Sequence, residues 1–313
     1  MVIQTELKYR LSYLKSLSKP HFFILFLILT GNNSLFAATP CETAQQLFSN
    51  LPDDATERLE VITRTIDLCP TFLNHFERAV AYLELDKPEQ ALSSLQEAKS
   101  LLSEPDPTLF ANLHGRFAEA YYKMGDRAKA MAHIDSAHEI MGKDVYPWIN
   151  ELRVQIYDSS TQTAWTADEI QNKLDINQSN TRSFYVTSGD TANPLNSTQN
   201  LDIQIHFEVN SAELDEAGVR QVQEIGNALE KYIDEGKTAQ IVGHTDVRGT
   251  QEYNQRLSEQ RAQSVVNQIL SVHPNFKAHL LAVGKGESEP RFTENTEQAH
   301  KLNRRVEVRL VSN

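Results

Sequence analysis

Two stretches of the chain resemble each other, and this internal repeat limits the folds available to its first half. HFERAVAYLELDKPEQALSSLQEAKSL (75–101) aligns with HGRFAEAYYKMGDRAKAMAHIDSAHEI (114–140), with an offset of 39 residues between Tyr82 and Tyr121. The other matching pairs are Ala79/Ala118, Asp86/Gly125, Ala91/Ala130, Leu95/Ile134 and Ala98/Ala137. Apolar residues recur at helical spacing throughout 41–158, without the alternation of strands. The first half is therefore predicted to be all-α.

This pattern resembles the tetratricopeptide repeat, in which small residues allow paired helices to approach closely. The resemblance implies a helical repeat domain over 41–158. CETAQQLFSNLPDDATERLEVITRTIDLCP (41–70) would be a degenerate first unit, and VYPWINELRVQIYD (145–158) would be a closing helix over the last apolar face. Two functions stay open for the repeats. They form either a concave surface that binds a partner protein or a spacer that binds nothing.

The N-terminus has the pattern of a secretory signal peptide over residues 1–38. Basic residues precede the apolar run HFFILFLIL (21–29), and small residues follow around Ala37-Ala38. A membrane-spanning helix needs about 20 apolar residues, so export with cleavage is favoured over a retained anchor. Thr39-Pro40 before Cys41 is a poor match to a lipidation signal. We therefore expect a periplasmic protein.

The two cysteines, Cys41 and Cys69, both follow the predicted cleavage site. A disulfide is the usual expectation in an exported protein. Cys41 begins one predicted helix and Cys69 ends the next, and antiparallel packing would bring these two ends together. The alternative is a pair of buried thiols. No His or Cys partners lie at the spacing of a zinc site, and we predict no metal or cofactor.

The net charge of −12 argues against binding to nucleic acid or directly to anionic membranes. Any membrane contact is therefore expected to be indirect, through a partner.

The second half predicts an α+β domain over 199–313, after a polar linker (159–198) that contains one short helix beginning near Thr166. Strands are predicted at 201–209, 238–246, 279–286 and 304–311, with the first strand half-buried and its polar residues exposed. One helix is predicted to start at Asn210 or Ser211, and another spans 256–272. Together these elements predict a mixed sheet with helices on one face.

Several separated motifs in this half resemble the OmpA-like peptidoglycan-binding domain. They are FEVNSAEL, GHTD with a Gly three residues later, YNQRLSEQRAQSVV and NRRVEV, and they cover about 200–313. Members of that family bind the stem peptide of peptidoglycan, most often through diaminopimelate. The far end of diaminopimelate carries an ammonium and a carboxylate on one carbon.

The resemblance implies a role for each matching residue. Asp246 would accept hydrogen bonds from the ammonium, and the planar fork of Arg261 would pair with the carboxylate. Asn254 would support the loop between them. The resemblance assigns the following residues to the lining of the pocket: Asn210, Thr245 and Leu257. Arg304 or Arg305 would either assist the ligand or brace the sheet.

These residues also have other interpretations. An Asp and an Arg near each other are usually a surface ion pair of small effect. His244 suggests an enzyme, but no nucleophile motif or ligand cluster accompanies it, so packing at the end of a strand is favoured. The sequence thus predicts a non-catalytic wall-binding protein that anchors an envelope partner to peptidoglycan. The alternatives are a wall-processing enzyme or accessory factor, and an assembly factor whose wall-binding domain is degenerate.

Overall fold

The computed structural model describes residues 38–102, 106–142, 145–175, 199–205, 207 and 211–311. The predicted signal peptide, apart from Ala38, lies outside the described residues, and so does Asn210. From Pro40 onward the chain forms one compact unit. No helix in the described ranges is both long enough and apolar enough to cross a membrane.

The helical part comprises the elements that precede residue 176 in the described chain. They are α1 (Pro40–Ser49), α2 (Ala55–Leu68), α3 (Phe72–Glu84), α4 (Pro88–Ser100), α5 (Pro107–Lys123), α6 (Arg127–Met141), α7 (Pro147–Ser160) and α8 (167–175). Consecutive helices from α1 to α7 pack against each other, as the helical spacing of the sequence predicted.

The two similar sequence stretches form two similar hairpins, α3–α4 and α5–α6. The matched alanines and the Leu95/Ile134 pair are fully buried in both hairpins. Asp86 and Gly125 occupy the same position in the turn and both have positive φ, 55° and 78°. In each turn a backbone N–H reaches back five residues to the matched tyrosine, from Lys87 to Tyr82 in the first (2.8 Å) and from Asp126 to Tyr121 in the second (3.0 Å). A left-handed residue is a common way to end a helix.

The predicted disulfide is present between Cys41 and Cys69. Cys41 lies at the start of α1, and Cys69 is the residue that follows α2. The Asp54 carboxylate caps α2 by accepting hydrogen bonds from the backbone N–H groups of Thr56 and Glu57, both at 2.9 Å. The disulfide and this cap fix the first helix pair before the repeats begin.

The C-terminal part is a four-stranded mixed sheet with helices, as predicted. Its elements are β1 (Gln199–Ile203), α9 (Glu216–Asp234), β2 (Thr238–Gly243), α10 (Gln251–Val272), β3 (Leu280–Gly284), α11 (Glu297–Asn303) and β4 (Val306–Val311), with a short 3-10 helix at Pro274–Ala278. The strand order is β1-β4-β2-β3. β2 and β3 are parallel, and the other two pairings are antiparallel.

The predicted boundaries of the strands and helices differ from the observed ones, and the largest differences are in three elements. β1 ends at Ile203, and Phe207 forms only an isolated bridge with Leu214. α9 begins after Asp215, whose carboxylate accepts from the Gly218 N–H at 2.7 Å, and not at Asn210 or Ser211. The Ser211 hydroxyl instead accepts from Glu213 N–H in a local turn. α10 begins five residues earlier than predicted, because the Thr250 hydroxyl caps it.

Two glycines allow α10 to lie very close to the sheet. A Cβ added at Gly243, the last residue of β2, would lie 3.3 Å from the Ser258 Cα, with the carbonyl group of that residue closer still. A Cβ at Gly284, the last residue of β3, would lie 2.6 Å from the backbone nitrogen of Glu259. Such approaches are sterically forbidden, so the contact requires glycine on both strands.

The second hairpin shares one hydrophobic core with the sheet. The cluster includes side chains of α6, α7 and α8 together with those of β1, β2, β4, α9 and α10; examples are Met131, Ile156, Trp165, Leu201, Ile225 and Val308. The described part of the segment predicted as linker contributes to it. Trp165 is 2% exposed, and its backbone N–H and carbonyl both bond the Gln221 side-chain amide, at 2.7 and 3.0 Å.

Candidate ligand-binding site

The candidate site is built on the loop between β2 and α10, residues 244–250. Backbone hydrogen bonds hold the start of this loop, from His244 to the Arg305 carbonyl (3.0 Å) and from Thr245 to the Gly286 carbonyl (2.9 Å). The Asn254 side chain, buried in the first turn of α10, donates to the Asp246 carbonyl at 3.3 Å. The loop therefore has a fixed shape in the described structure.

The Asp246 side chain is 7% exposed and is surrounded by guanidinium groups. Arg304 Nη1 donates to its Oδ2 at 2.6 Å. Arg248 Nη2 donates to the same oxygen at 2.6 Å, and the Arg248 backbone N–H donates to Oδ1 at 3.0 Å. Burial raises the pKa of Asp246, but these hydrogen bonds outweigh burial and hold the pKa well below its usual value. Asp246 is therefore ionised at neutral pH.

Arg261 lies on α10 near the same carboxylate. Its Nε donates to the Ser211 carbonyl at 3.2 Å, and its guanidinium lies over the Phe207 ring, 5.0 Å from the centroid. Burial lowers the pKa of Arg261, and both Asp246 and Arg304 act on it electrostatically. No carboxylate among the described residues forms an ion pair with Arg261.

The remaining predicted residues fall into different environments. Thr245 is 6% exposed, and its hydroxyl has no hydrogen-bond partner within the described chain. Leu257 is half-buried one turn before Arg261. Asn254 supports the loop through the bond described above, and Asn210 lies outside the described residues.

The adjacent residues Arg304 and Arg305, whose roles the sequence left open, point to different places. Arg304 reaches Asp246 and belongs to the site. Arg305 is buried, and its Nε donates to Asp202 on β1 at 3.0 Å. Arg305 therefore braces the sheet, whereas Arg304 contacts the Asp246 carboxylate of the candidate site.

His244 packs at the end of β2. It is 2% exposed, and its Nε2 lies 3.3 Å from the Glu307 carboxylate on β4. Burial lowers the pKa of His244, and the Glu307 carboxylate only partly opposes this shift. His244, the first residue of the loop, thus packs against β4.

Comparisons with known proteins agree with these motifs. The model of the OmpA family matches residues 206–304. Residues 206–304 are an OmpA family domain.

Relatives of known name match about a third of the chain. The peptidoglycan-associated lipoprotein of Pseudomonas putida is 37% identical over 104 residues, which are 33% of this chain and 60% of that protein. The outer membrane porin F of Pseudomonas aeruginosa is 29% identical over 110 residues, which are 35% of this chain and 31% of that protein. The chain therefore spans about a third to three-fifths of the length of these relatives.

A solved structure also aligns with part of the chain. The crystal structure of the peptidoglycan-associated lipoprotein from Burkholderia pseudomallei is 26% identical, with a TM-score of 0.31. The alignment covers 34% of this chain and 88% of that one.

A buried charge cluster lies where the OmpA domain meets the helical part. Asp202 pairs with both Arg305 and Arg291. The Tyr157 hydroxyl donates to Asp135 at 2.8 Å and lies 3.4 Å from Asp202 Oδ2. The prediction that the polar residues of the first strand are exposed is wrong for Asp202, which is 8% exposed. Side chains from distant parts of the chain cover it.

Sequence reasoning missed Arg248 and Glu297. Arg248 follows Asp246 by two residues, and its N–H bonds the Asp246 side chain in an Asx turn. That turn brings the Arg248 side chain back over the carboxylate. Glu297, the first residue of α11, accepts from Arg248 Nη1 at 3.0 Å. An Asp-x-Arg sequence before a glycine was the available signal for Arg248, whereas nothing local indicated Glu297.

Proposed function

We propose that the protein is a non-catalytic, periplasmic wall-binding protein that anchors an envelope partner to peptidoglycan. The OmpA domain would bind the diaminopimelate stem peptide, and the helical repeats would bind the partner. The proposal rests chiefly on one observation. The ionised carboxylate of Asp246, whose side chain is 7% exposed, interacts electrostatically with the guanidinium of Arg261, which forms no ion pair with a carboxylate among the described residues.

These two charges suit a zwitterion. Asp246 would accept hydrogen bonds from the ammonium of diaminopimelate, while Arg261 would pair with the carboxylate on the same carbon. Arg304 would add positive charge beside that carboxylate. The named relatives include peptidoglycan-associated lipoproteins, and the residues that match the OmpA family, 206–304, include Asp246, Arg261 and Arg304.

A wall-processing enzyme is the less favoured proposal. Both cysteines of the chain are in the disulfide, so neither is a nucleophile. His244 is buried at the end of β2, next to Glu307 on β4. Within the described chain no group of three or more His, Cys, Asp or Glu residues is arranged to hold a metal ion.

Co-sedimentation with isolated sacculi tests the proposal. Asp246→Ala and Arg261→Ala should each weaken binding by about 10- to 100-fold, because each removes a charge-assisted hydrogen bond to the ligand. Arg261→Lys keeps the charge but loses the planar fork, so it should also weaken binding. Arg220→Ala is the matched control, since Arg220 is exposed on α9 and pairs only with Glu216 in the described structure.

The fold of each variant is checked by thermal unfolding. Wild-type binding by both alanine variants would remove the site assignment. Sacculi with lysine in place of diaminopimelate test the finer claim, because lysine lacks the side-chain carboxylate that Arg261 would hold. Equal binding to both kinds of sacculi would contradict diaminopimelate recognition but leave wall binding in place.

A further inference from the structure

Arg248 is the most extensively bonded partner of Asp246. Its backbone N–H donates to Oδ1 at 3.0 Å, its Nε lies 3.2 Å from each carboxylate oxygen, and its Nη2 donates to Oδ2 at 2.6 Å. The other edge of the guanidinium donates to Glu297 Oε2 at 3.0 Å. Arg248 therefore bridges two carboxylates across the mouth of the site.

The Asp246 carboxylate has no acceptor capacity left in this state. A carboxylate offers about four lone-pair positions. Three N–H groups of Arg248 and one of Arg304 donate to it. An incoming ammonium therefore gains a hydrogen bond to Asp246 only if one of these donors leaves.

The exposure of the two arginines indicates which one leaves. The Arg248 side chain is 52% exposed and its second partner, Glu297, is 74% exposed, so both remain hydrated when they move. The Arg304 side chain is 35% exposed. Arg304 also lies between two buried residues, Asn303 and Arg305, whose side chains are hydrogen-bonded. Arg248 can swing into solvent without disturbing the fold, whereas Arg304 is held by its neighbours.

We propose that Arg248 is a latch, which occupies the place of the ligand ammonium in the unliganded protein and must leave Asp246 before the wall peptide binds. Glu297 steadies the closed latch from the outer side. This inference rests on the proposed function, since it assumes that a cationic group of the ligand binds Asp246. It also predicts a change in affinity that the proposed function alone does not predict. Removal of a conspicuous arginine in the site should strengthen binding.

The size of the effect follows from the closed fraction. The apparent Kd of a site that is open in only a fraction of molecules is raised by the inverse of that fraction. If the latch is closed in about 90% of molecules, its removal lowers the Kd about tenfold. Glu297→Gln loosens only the outer contact, so it should give a smaller change in the same direction.

Calorimetric titration with the tripeptide L-Ala–D-Glu–meso-diaminopimelate tests the latch in the full-length protein. Arg248→Ala should bind more tightly than wild type by about tenfold. Arg256→Ala is the matched control, because Arg256 is exposed on α10 and its removal subtracts the same charge without breaking a hydrogen bond to Asp246. An equal gain in Arg256→Ala would show a general charge effect and overturn the latch.

The outcomes separate the latch from the proposed function. If wild type binds and Arg248→Ala binds equally or more weakly, then Arg248 contacts the ligand or is neutral, and the latch is wrong. Binding by Arg248→Ala alone would support the latch in its strongest form. If neither protein binds, the proposed function fails and the latch fails with it. Adding Asp246→Ala to Arg248→Ala should abolish the gained affinity, since the gain depends on the released carboxylate.

Discussion

The hairpins α3–α4 and α5–α6 have matching sequences and matching turns, yet they are stabilised in different ways. The first has its own small core, which includes Leu83 and Leu95, completed by side chains of α5. The second contributes Met131 and Ile134 to the core of the OmpA domain. The repeat pattern therefore specifies the fold of each hairpin. It does not specify which elements pack against the hairpin, because the outward faces of the two hairpins differ.

The largest expected effect on stability is at the buried charge cluster around Asp202, where the helical part meets the sheet. Asp202→Ala should lower the free energy of unfolding by about 3–5 kcal/mol, because it leaves two buried arginines, Arg291 and Arg305, without their carboxylate. Urea denaturation followed by circular dichroism measures this loss. Glu216→Ala is the control, since its ion pair with Arg220 is exposed and worth less than about 1 kcal/mol. A loss under 1 kcal/mol in Asp202→Ala would show that the cluster does not hold the two parts together.

A slightly smaller effect on stability is expected at the disulfide of the first helix pair. Replacing Cys41 and Cys69 by serine removes a bridge with a sequence separation of 28 residues, which should lower stability by about 3–4 kcal/mol in the chain-entropy model. Hydrogen exchange should accelerate in α1 to α3 and stay unchanged in α9 and α10. Sacculus binding should also be unchanged. Faster exchange throughout the OmpA domain would mean that the stability of this domain is coupled to that of the first helices.

The smallest of the three effects depends on pH and concerns the second hairpin. His114 on α5 and His133 on α6 have their Nδ1 atoms 3.2 Å apart. Burial, with a contribution from Lys99, lowers the pKa of His114 from 6.5 to about 4. Burial also lowers the pKa of His133, as do His114, Lys99, Lys173 and Lys129. Both imidazoles are therefore neutral in the folded protein at pH 7.

The sign follows from which state binds more protons. Between pH 6.5 and about 4 the unfolded chain binds the proton that folded His114 excludes, so stability is complete above pH 7 and falls as the solution is acidified. His114 alone should account for about 2 kcal/mol between pH 7 and pH 5. Urea denaturation of His114→Gln at both values measures it, and the variant should lose less stability than wild type. An equal loss in both proteins would place the acid sensitivity elsewhere.

The sequence predicted what depends on local pattern. The alanines of the repeats, the disulfide and the α+β class follow from spacing and composition, and the structure confirms them. The predicted start of α9 was wrong because Ser211, Asp215 and other capping residues lie close together in the sequence. Only the structure shows which of them caps the helix. The burial of Asp202 was missed because Tyr157 and Arg291, which cover it, are far away in sequence.

The sequence named some residues of the candidate site and missed others. Asp246 and Arg261 followed from the family resemblance, and the site residue Arg304 was one of two alternatives. Arg304 and Arg305 differ in role because neighbouring residues at the edge of a strand point in opposite directions, and the sequence does not show which of the two side chains reaches Asp246. The Arg248–Glu297 pair depends on a tertiary contact between a loop and a short helix, so no local pattern indicated it.

The close approach of α10 to Gly243 and Gly284 has a consequence for the size of the ligand. Asp246 follows the strand that ends at Gly243, and Arg261 lies on the helix that this glycine admits. The packing of α10 on the sheet therefore influences the separation of the two charges. A methyl group at Gly243 would push the helix away from the sheet and carry the guanidinium with it. For the proposed ligand, whose ammonium and carboxylate share one carbon, the widened site would then be too long.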